Sequence, residues 1–299
     1  MSTSVLYDIP GPKARRRALI GTIVSVIVIV ALVGFAAKRL ADNGQFRADA
    51  WNPLINPGDE SFSLVWQLIG KGLMNTLIAA ALAIVLSLAV GIVLGVARML
   101  LGRVLGAPVF LFIQLFRGLP VIITIVMVWR FMVELGLDDV VAPLPGDTSL
   151  WYLVIGLTLY NSVIIAEILR AGVASLPRGQ SEAGLAVGMT SGQSMRYILL
   201  PQAFRVMLPA LISQFVVALK DTSLVALIGL SYFELLNRGN QISQNLGNRL
   251  QTLFVVAVIF IIINYALSRL ATRLERRLSR ASGSDAADTS SVMQAVPAT

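Results

Sequence analysis

Six apolar stretches, each about as long as one membrane crossing, constrain this sequence more than any other feature. A helix crosses the hydrocarbon core of a bilayer with about 20 predominantly apolar residues. The chain is 56% hydrophobic and only 13% charged, whereas about a quarter of the residues of a soluble domain are charged. The sequence therefore predicts an all-α fold, a polytopic helical membrane protein with about six transmembrane helices. The predicted crossings are residues 18–37, 65–97, 107–134, 150–169, 204–230 and 250–270.

The first apolar stretch follows a basic N-terminal segment, residues 1–17, in which three consecutive arginines stand directly before the run. Signal peptides share this pattern, but their apolar core is usually shorter than about 20 residues. We therefore predict a retained, additional helix at 18–37 and an external loop at 38–64. At the other end, polar and small residues predict a cytoplasmic tail at 273–299 that is disordered from about residue 282.

Basic residues are concentrated in alternate connections between the crossings. They precede the first crossing, lie between the second and third at Arg98 and Arg103, fill the segment between the fourth and fifth, and follow the sixth. Because an excess of Lys and Arg marks cytoplasmic loops, both termini are predicted to be cytoplasmic. The net charge of +8 is explained by this topology, and no aromatic–basic patch supports binding of nucleic acid.

Residue types that the chain lacks exclude several chemistries. The sequence contains no His and no Cys, which excludes thiol nucleophiles, Ser–His catalysis and zinc sites built on Cys or His. A Walker A loop requires G-x4-G-K-[ST]. The only Gly–Lys pair, Gly70–Lys71, is followed by Gly72 and has Val65 where the first glycine should stand. The chain is therefore predicted not to be an enzyme, with no catalytic residue, metal site or cofactor of its own.

Charged side chains inside a crossing cost about 2.5–3.5 kcal/mol each, so they usually face a cavity or a partner. Lys220 and Asp221 are adjacent in the fifth crossing and therefore point about 100° apart, which prevents them from simply pairing with each other. A zwitterionic solute needs opposite charges of this kind, but a structural ion pair between helices is an equal alternative. For Asn161, solute contact and helix packing are likewise both open, and Arg117 either lines the path or extends its charge to the membrane interface. The candidate translocation path comprises Lys220, Asp221, Thr222, Ser223, Arg117, Asn161 and Glu167.

The segment between the fourth and fifth crossings, residues 167–201, is too polar to cross and is predicted to form a protruding helical hairpin. Ser181 is suited to cap a short helix that begins near Glu182, whose charge favours a helix N-terminus. Gly188 permits a tight turn, and Pro201 is expected to end a second short helix. A small and apolar surface of this kind is suited to docking in a groove of another protein.

This segment resembles the EAA motif of ABC-importer permeases, written EAA-x3-G-x9-I-x-LP. The matching residues are Glu182, Ala183, Gly184, Gly188, Ile198, Leu200 and Pro201. Gly184 departs from the motif, which has alanine there. The resemblance covers about residues 65–272, and further segments are similar to the polar amino-acid permeases in particular. They are GLMNTL at 72–77, FRGLP at 116–120, AEILRAG at 166–172, LPQA at 200–203 and KDTSL at 220–224.

The resemblance implies the architecture of a type I ABC-importer permease in a bacterial inner membrane, with the motif residues coupling it to an ATPase. The implied partners are a cytoplasmic ABC ATPase dimer that binds ATP, a second permease chain, identical or paralogous, and an extracytoplasmic substrate-binding protein. The implied function is ATP-driven uptake of a polar amino acid by alternating access, with glutamate or glutamine favoured. Two alternatives stay open: an ABC permease for another small solute such as methionine, and a secondary transporter driven by an ion gradient.

Overall fold

The computed structural model describes the backbone of residues 11–294 and the side chains of residues 11–270, 272 and 273. Within that part of the chain all regular structure is helical, so the predicted all-α fold is confirmed. Parts of the predicted N-terminal segment and tail, residues 1–10 and 295–299, lie outside the described residues. The helices are α1 (Pro12–Asp42), α2 (Ala48–Ile55), α3 (Phe62–Leu100), α4 (Arg103–Gly118), α5 (Val121–Glu134), α6 (Asp138–Val141), α7 (Thr148–Ala174), α8 (Arg178–Ala186), α9 (Ser191–Ser194), α10 (Leu200–Asp221), α11 (Val225–Ile228), α12 (Leu235–Leu246) and α13 (Arg249–Gln294).

The chain divides into two units, Met1–Phe62 and Ser63–Thr299. In the first unit, α1 is a 31-residue apolar helix without a buried residue, as expected of a helix whose side chains face lipid. The segment predicted to be an external loop is partly helical, because it contains α2. Trp51 of that helix closes the preceding turn by donating from Nε1 to the carbonyl oxygen of Gln45 at 3.0 Å.

Among residues 11–294, five helices are long and apolar enough to cross a membrane, and six crossings result when the bent pair α4 and α5 is taken as one. The two helices of that pair meet at 111°. The break lies where the sequence places Gly118 and Pro120, and Pro120 is the N-cap of α5. Proline has no N–H to continue the hydrogen bonding of α4. Its carbonyl oxygen instead accepts from the N–H groups of Ile123 and Thr124.

Helix α7 lies at the centre of the second unit. In its apolar stretch 67% of the residues are buried, against 28% in α3 and 17% in α13. The approach of α3 is allowed by glycine: a Cβ on Gly91 would lie 2.7 Å from Cγ2 of Ile165 and 2.8 Å from the carbonyl oxygen of Ser162. Gly95 faces Leu169 in the same way. In lipid no hydrophobic driving force brings helices together, and small residues allow the close van der Waals packing that does so.

Helix α13 continues to Gln294 and so includes much of the segment whose composition predicts disorder from about residue 282. The backbone hydrogen bonds of a long preceding helix make continuation cheap, because each added residue adds a bond without a new nucleus. Ala281, Ala286 and Ala287 also have the highest intrinsic helix propensity. The prediction of disorder from composition considers only the lack of apolar surface and does not take this local helix continuation into account.

Replacing Gly91 with alanine is expected to lower the free energy of unfolding by about 1–3 kcal/mol, because the added methyl group overpacks the contact with α7. Gly70→Ala in the same helix is the matched control, since a Cβ there meets nothing within 4 Å and alanine favours the helix. Thermal unfolding of the two purified variants in detergent measures the difference. Equal melting temperatures for the two variants would show that the α3–α7 contact is not tight.

Candidate functional site

The connection between α7 and α10 forms a helical hairpin whose first arm is α8. This helix begins at Arg178 with Pro177 as its N-cap and receives no side-chain cap, so the predicted capping role of Ser181 is wrong. Proline at the N-cap leaves no N–H to satisfy there, and the helix starts four residues earlier than predicted. At the end of the arm Gly188 has φ +84°, a left-handed conformation that glycine adopts without steric cost. Its N–H donates to the carbonyl oxygen of Leu185 at 3.0 Å.

The second arm is continuous with α10. It starts with a capping box, in which the backbone N–H of Gln193 donates to Oγ1 of Thr190 at 3.2 Å and the Gln193 side chain accepts in return at 2.8 Å. A π-helical turn, Met195–Leu199, follows and leads directly into α10. Pro201 therefore does not end a helix, contrary to the prediction. The wider π-turn lies just before Pro201 and accommodates its ring and its missing N–H.

The two arms pack through the residue that departs from the motif. Gly184 is buried, and a Cβ on it would lie 2.9 Å from Cδ1 of Ile198 and 3.0 Å from Oγ of Ser194. Gln202 adds a hydrogen bond across the hairpin, donating from Nε2 to Oε1 of Gln180 at 3.2 Å. These contacts hold α8 against the start of α10.

The opposite face of α8 is exposed. Glu182 and Ala183 lie on this face, and Glu182 forms no ion pair with any residue whose side chain is described. Leu185 is 50% exposed and Val187 is 76% exposed. The outward face of the hairpin thus combines one carboxylate with small and apolar side chains, which is a surface suited to protein contact.

Glu167, near the C-terminal end of α7, is the centre of an arginine cluster. Its carboxylate accepts hydrogen bonds from Arg98 of α3 and from Nε of Arg170, the latter at 3.0 Å. Arg117 at the end of α4 lies 3.9 Å from the same carboxylate. The side chain of Glu167 is only 14% exposed. One partly buried acid therefore joins α3, α4 and α7.

Asn161, also on α7, uses both ends of its amide within the bundle. Its Nδ2 donates to the carbonyl oxygen of Leu157 at 2.8 Å, and its Oδ1 accepts from Nε2 of Gln214 at 2.7 Å. Gln214 lies on α10, so this hydrogen bond links the central helix to the helix that follows the hairpin. Of the two interpretations open from the sequence, these contacts favour helix packing.

Lys220 and Asp221 end α10, and Thr222 and Ser223 begin the 3-10 turn Thr222–Leu224 that follows it. Lys220 is exposed and lines a cavity of 330 Å³ between α10 and α13 and a second one of 400 Å³ beside Asn264. The Asp221 side chain is half-buried and its Oδ2 has no hydrogen-bond partner. Thr222 and Ser223 donate to the backbone at Leu219 and Lys220, both within one turn. Of these four residues, Lys220 therefore offers charge to the space between α10 and α13, and Asp221 carries an oxygen without a partner.

The predicted path residues form two groups. Glu167 lies six residues from Asn161 along α7, and Lys220 lies six residues from Gln214 in the opposite direction along α10. At 1.5 Å per residue the two groups are about 18 Å apart along the bundle. The structure thus brings Arg117 and Glu167 together and keeps Lys220 and Asp221 apart from them.

A cavity of 610 Å³ opens beside the connection from α11 to α12. Asn75 and Tyr232 line this cavity. The hydroxyl of Tyr232 donates to the backbone carbonyl oxygen of Asn75 at 2.7 Å. Next to them Glu234 is fully buried and caps α12, accepting from the N–H groups of Leu236 and Asn237 at 2.6 and 2.8 Å. Burial raises the pKa of Glu234 to about 7. Burial and the charge of Glu234 raise the pKa of Tyr232 above its usual value.

The model of the family described as binding-protein-dependent transport system inner membrane component matches residues 87–280. That range contains the broken crossing, the central helix and the whole hairpin. The chain belongs to this family. Permeases of this kind are transport subunits of ABC transporters and not enzymes, so the prediction of a non-enzymatic permease is confirmed.

Known relatives agree with the family along most of the chain. The glutamate transport system permease protein GluD of Corynebacterium glutamicum is 42% identical over 240 residues, which cover 80% of this chain and 83% of that protein. The glutamine transport system permease protein GlnP of Escherichia coli K12 is 32% identical over 221 residues, covering 73% and 97%. A solved amino acid ABC transporter with histidines has a TM-score of 0.63 at 26% identity, covering 73% and 97%.

Sequence reasoning missed three polar contacts of the permease. From the sequence Arg98 is expected only to mark the cytoplasmic side, yet in the structure it donates a hydrogen bond to the carboxylate of Glu167. Gln214 was passed over, although an amide in the middle of a predicted crossing is a signal for an interhelical hydrogen bond. Gln202 stands in the LPQA segment, but its partner Gln180 is 22 residues away, and no local pattern reveals such a contact.

Replacing Glu167 with glutamine is expected to destabilise the permease by about 1–3 kcal/mol, because three arginines would then face one another without the carboxylate that they share. Glu134→Gln, an exposed acid at the end of α5, is the control and should change stability by less than about 0.5 kcal/mol. Thermal unfolding in detergent compares them. A Glu167 variant as stable as its control would rule out a structural role for the cluster.

The buried carboxyl of Glu234 predicts a pH-dependent stability. Its pKa is raised to about 7 in the folded protein against 4.5 for the free side chain, so folding favours the protonated form. This contribution is complete below pH 4.5 and is lost as the pH rises to about 7, on the order of 2–3 kcal/mol. We expect Glu234→Gln to reduce the change of melting temperature with pH between pH 5 and 8. An unchanged slope would assign the dependence to other groups.

Proposed function

We propose that this permease is the membrane subunit of an ATP-driven importer for an acidic amino acid or its amide, working by alternating access. The named transport of glutamate and glutamine by two relatives supports this substrate class. The observation that carries the mechanism is the exposed face of α8 around Glu182, held in place by the packing of Gly184 on Ile198. One face of α8 is packed tightly on the second arm and the other face is exposed, so α8 is suited to transmit a displacement imposed by another protein.

The second arm of the hairpin is the part that transmits such a force. Residues Ser191–Ile228 form one helical path of 38 residues, from the hairpin to the far side of the bundle. We expect this path to move largely as one body, because its helical backbone is continuous and only Pro201 and Pro209 lack an N–H to donate. Closure of an ATPase on α8 would therefore displace α10 and, at its end, Lys220 and Asp221.

The partners follow from the family. A binding-protein-dependent permease works with a substrate-binding protein and an ABC ATPase. We assign the ATPase dimer to the hairpin side and the binding protein to the opposite side. The excess of arginine around and after the hairpin supports a cytoplasmic hairpin and cytoplasmic termini. A second permease chain, identical or paralogous, would complete the translocation path.

Within the path, Lys220 and Asp221 are the groups that we assign to solute. Lys220 faces two cavities and Asp221 carries an oxygen without a partner. Opposite charges near each other suit the carboxylate and ammonium groups of an amino acid. Arg117, Glu167 and Asn161 have partners within the bundle, and we assign them to positioning the helices. Thr222 and Ser223 donate to backbone carbonyl oxygens of α10 and so stabilise the turn that follows it.

Uptake by cells expressing the complete transporter tests the proposal. Radiolabelled glutamate, glutamine, arginine and histidine are compared for wild type and Glu182→Ala, with and without ATP depletion. We expect glutamate or glutamine to accumulate, and Glu182→Ala to reduce uptake roughly ten-fold or more, as when a coupling free energy of 1–3 kcal/mol is lost. ATP depletion should abolish uptake.

Glu134→Ala is the matched control, because it removes an exposed acid outside the hairpin. Membrane abundance of each variant is measured by immunoblot, so that loss of protein is separated from loss of coupling. Uptake that survives both Glu182→Ala and ATP depletion, but collapses with the ion gradient, would contradict the proposal and favour a secondary transporter. Uptake of arginine or histidine alone would contradict the substrate class.

A further inference from the structure

We propose that the corner between α3 and α4 binds the phosphate headgroup of an anionic phospholipid. A cavity of 480 Å³ lies at this corner, where α3 ends and the chain turns through Gly102. Arg98 and Arg103 both line it, one from each helix. Two guanidinium groups in one cavity form a site for phosphate, because each presents a planar set of donors that matches phosphate oxygens. The site is separate from the hairpin and from Lys220, and it does not depend on the proposed transport function.

The charge at this corner is not balanced by the protein. Glu167 is shared by Arg98, Arg117 and Arg170. Arg103 adds a fourth guanidinium and forms no ion pair with the residues whose side chains the structure describes. One carboxylate is therefore shared by three arginines, and Arg103, which lines the same cavity as Arg98, has no carboxylate of its own among the described side chains. An anion from outside the protein would complete the cluster.

The surroundings of the cavity indicate that this anion belongs to a lipid. Val104 is 85% exposed and Leu105 is 72% exposed, directly after Arg103, and Leu111 one to two turns further on is 67% exposed. Phe110 lines the cavity, and its ring lies 5.1 Å from the guanidinium carbon of Arg98. Apolar side chains on α4 thus lie next to the basic cavity. An anionic phospholipid offers this combination, since its phosphate and its acyl chains meet at the bilayer interface.

The position of the site along the membrane agrees with this assignment. Arg98 stands in the last turn of α3, a helix long enough to cross the bilayer, and Arg103 is the first residue of the bent crossing. Basic residues at the ends of crossings lie at headgroup level. Free phosphate would use the arginines alone and would leave the adjacent apolar face of α4 unused.

Native mass spectrometry of the full-length permease, released from neutral detergent, tests the site. The probes are dioleoyl phosphatidylglycerol, dioleoyl phosphatidylcholine and inorganic phosphate. We expect one saturable phosphatidylglycerol, bound about five-fold more weakly by Arg103→Gln, the factor expected for one basic residue near a membrane surface. Arg103→Lys keeps the charge and should retain most of the affinity. Phosphatidylcholine binding should be the same in all variants.

Arg269→Gln is the matched control, since Arg269 is another exposed arginine on a membrane-spanning helix and lies outside the cavity. Its phosphatidylglycerol affinity should equal that of wild type. Equal weakening by Arg103→Gln and Arg269→Gln would overturn the proposal, because it would show unspecific attraction to basic residues. Inorganic phosphate that displaces phosphatidylglycerol at similar concentration would overturn the assignment to lipid. Unchanged melting temperatures of the variants exclude loss of fold as the cause.

Discussion

The close contact between α3 and α7 is the interaction on which the rest of the structure depends. Lipid gives apolar helices no hydrophobic reason to associate, so packing of backbone against backbone and buried polar contacts must hold the bundle together. Gly91 and Gly95 permit that approach. Once α7 is enclosed, its other faces present Glu167 to three arginines and Asn161 to Gln214. The same helix leads directly into the hairpin.

The hairpin combines a rigid interior with an unpaired exterior. Its interior is formed by Gly184, Ser194 and Ile198, where no larger side chain fits at position 184 without movement of its neighbours. The π-turn before Pro201 keeps the second arm and α10 in one helical path, so that a local displacement of α8 is carried across the bundle. In the proposed mechanism a separate ATPase supplies that displacement. The proposed lipid site lies at another corner and would anchor α3 and α4 while α10 moves.

Much of the fold follows from short-range patterns. The apolar stretches predict the crossings because the thickness of the hydrocarbon core fixes their length. Gly118 and Pro120 stand at the break between α4 and α5, where neither residue supports a continuous helix. The same rule predicts that a helix ends at Pro201, and this prediction is wrong because the preceding π-turn accommodates the proline within one helical path. Charge composition predicts which residues are costly in the membrane, but it does not predict which of them share a partner.

The sequence by itself determined the class of the protein, the number of crossings, the hairpin and the motif that relates the chain to ABC permeases. These depend on the order and spacing of nearby residues, which are read directly from the chain. Only the tertiary structure decided that Arg98 pairs with Glu167 across 69 positions, that Asn161 meets Gln214 and that Arg103 shares a cavity with Arg98. Such pairings arise when helices cross, and their crossing angles depend on packing that no local sequence pattern encodes.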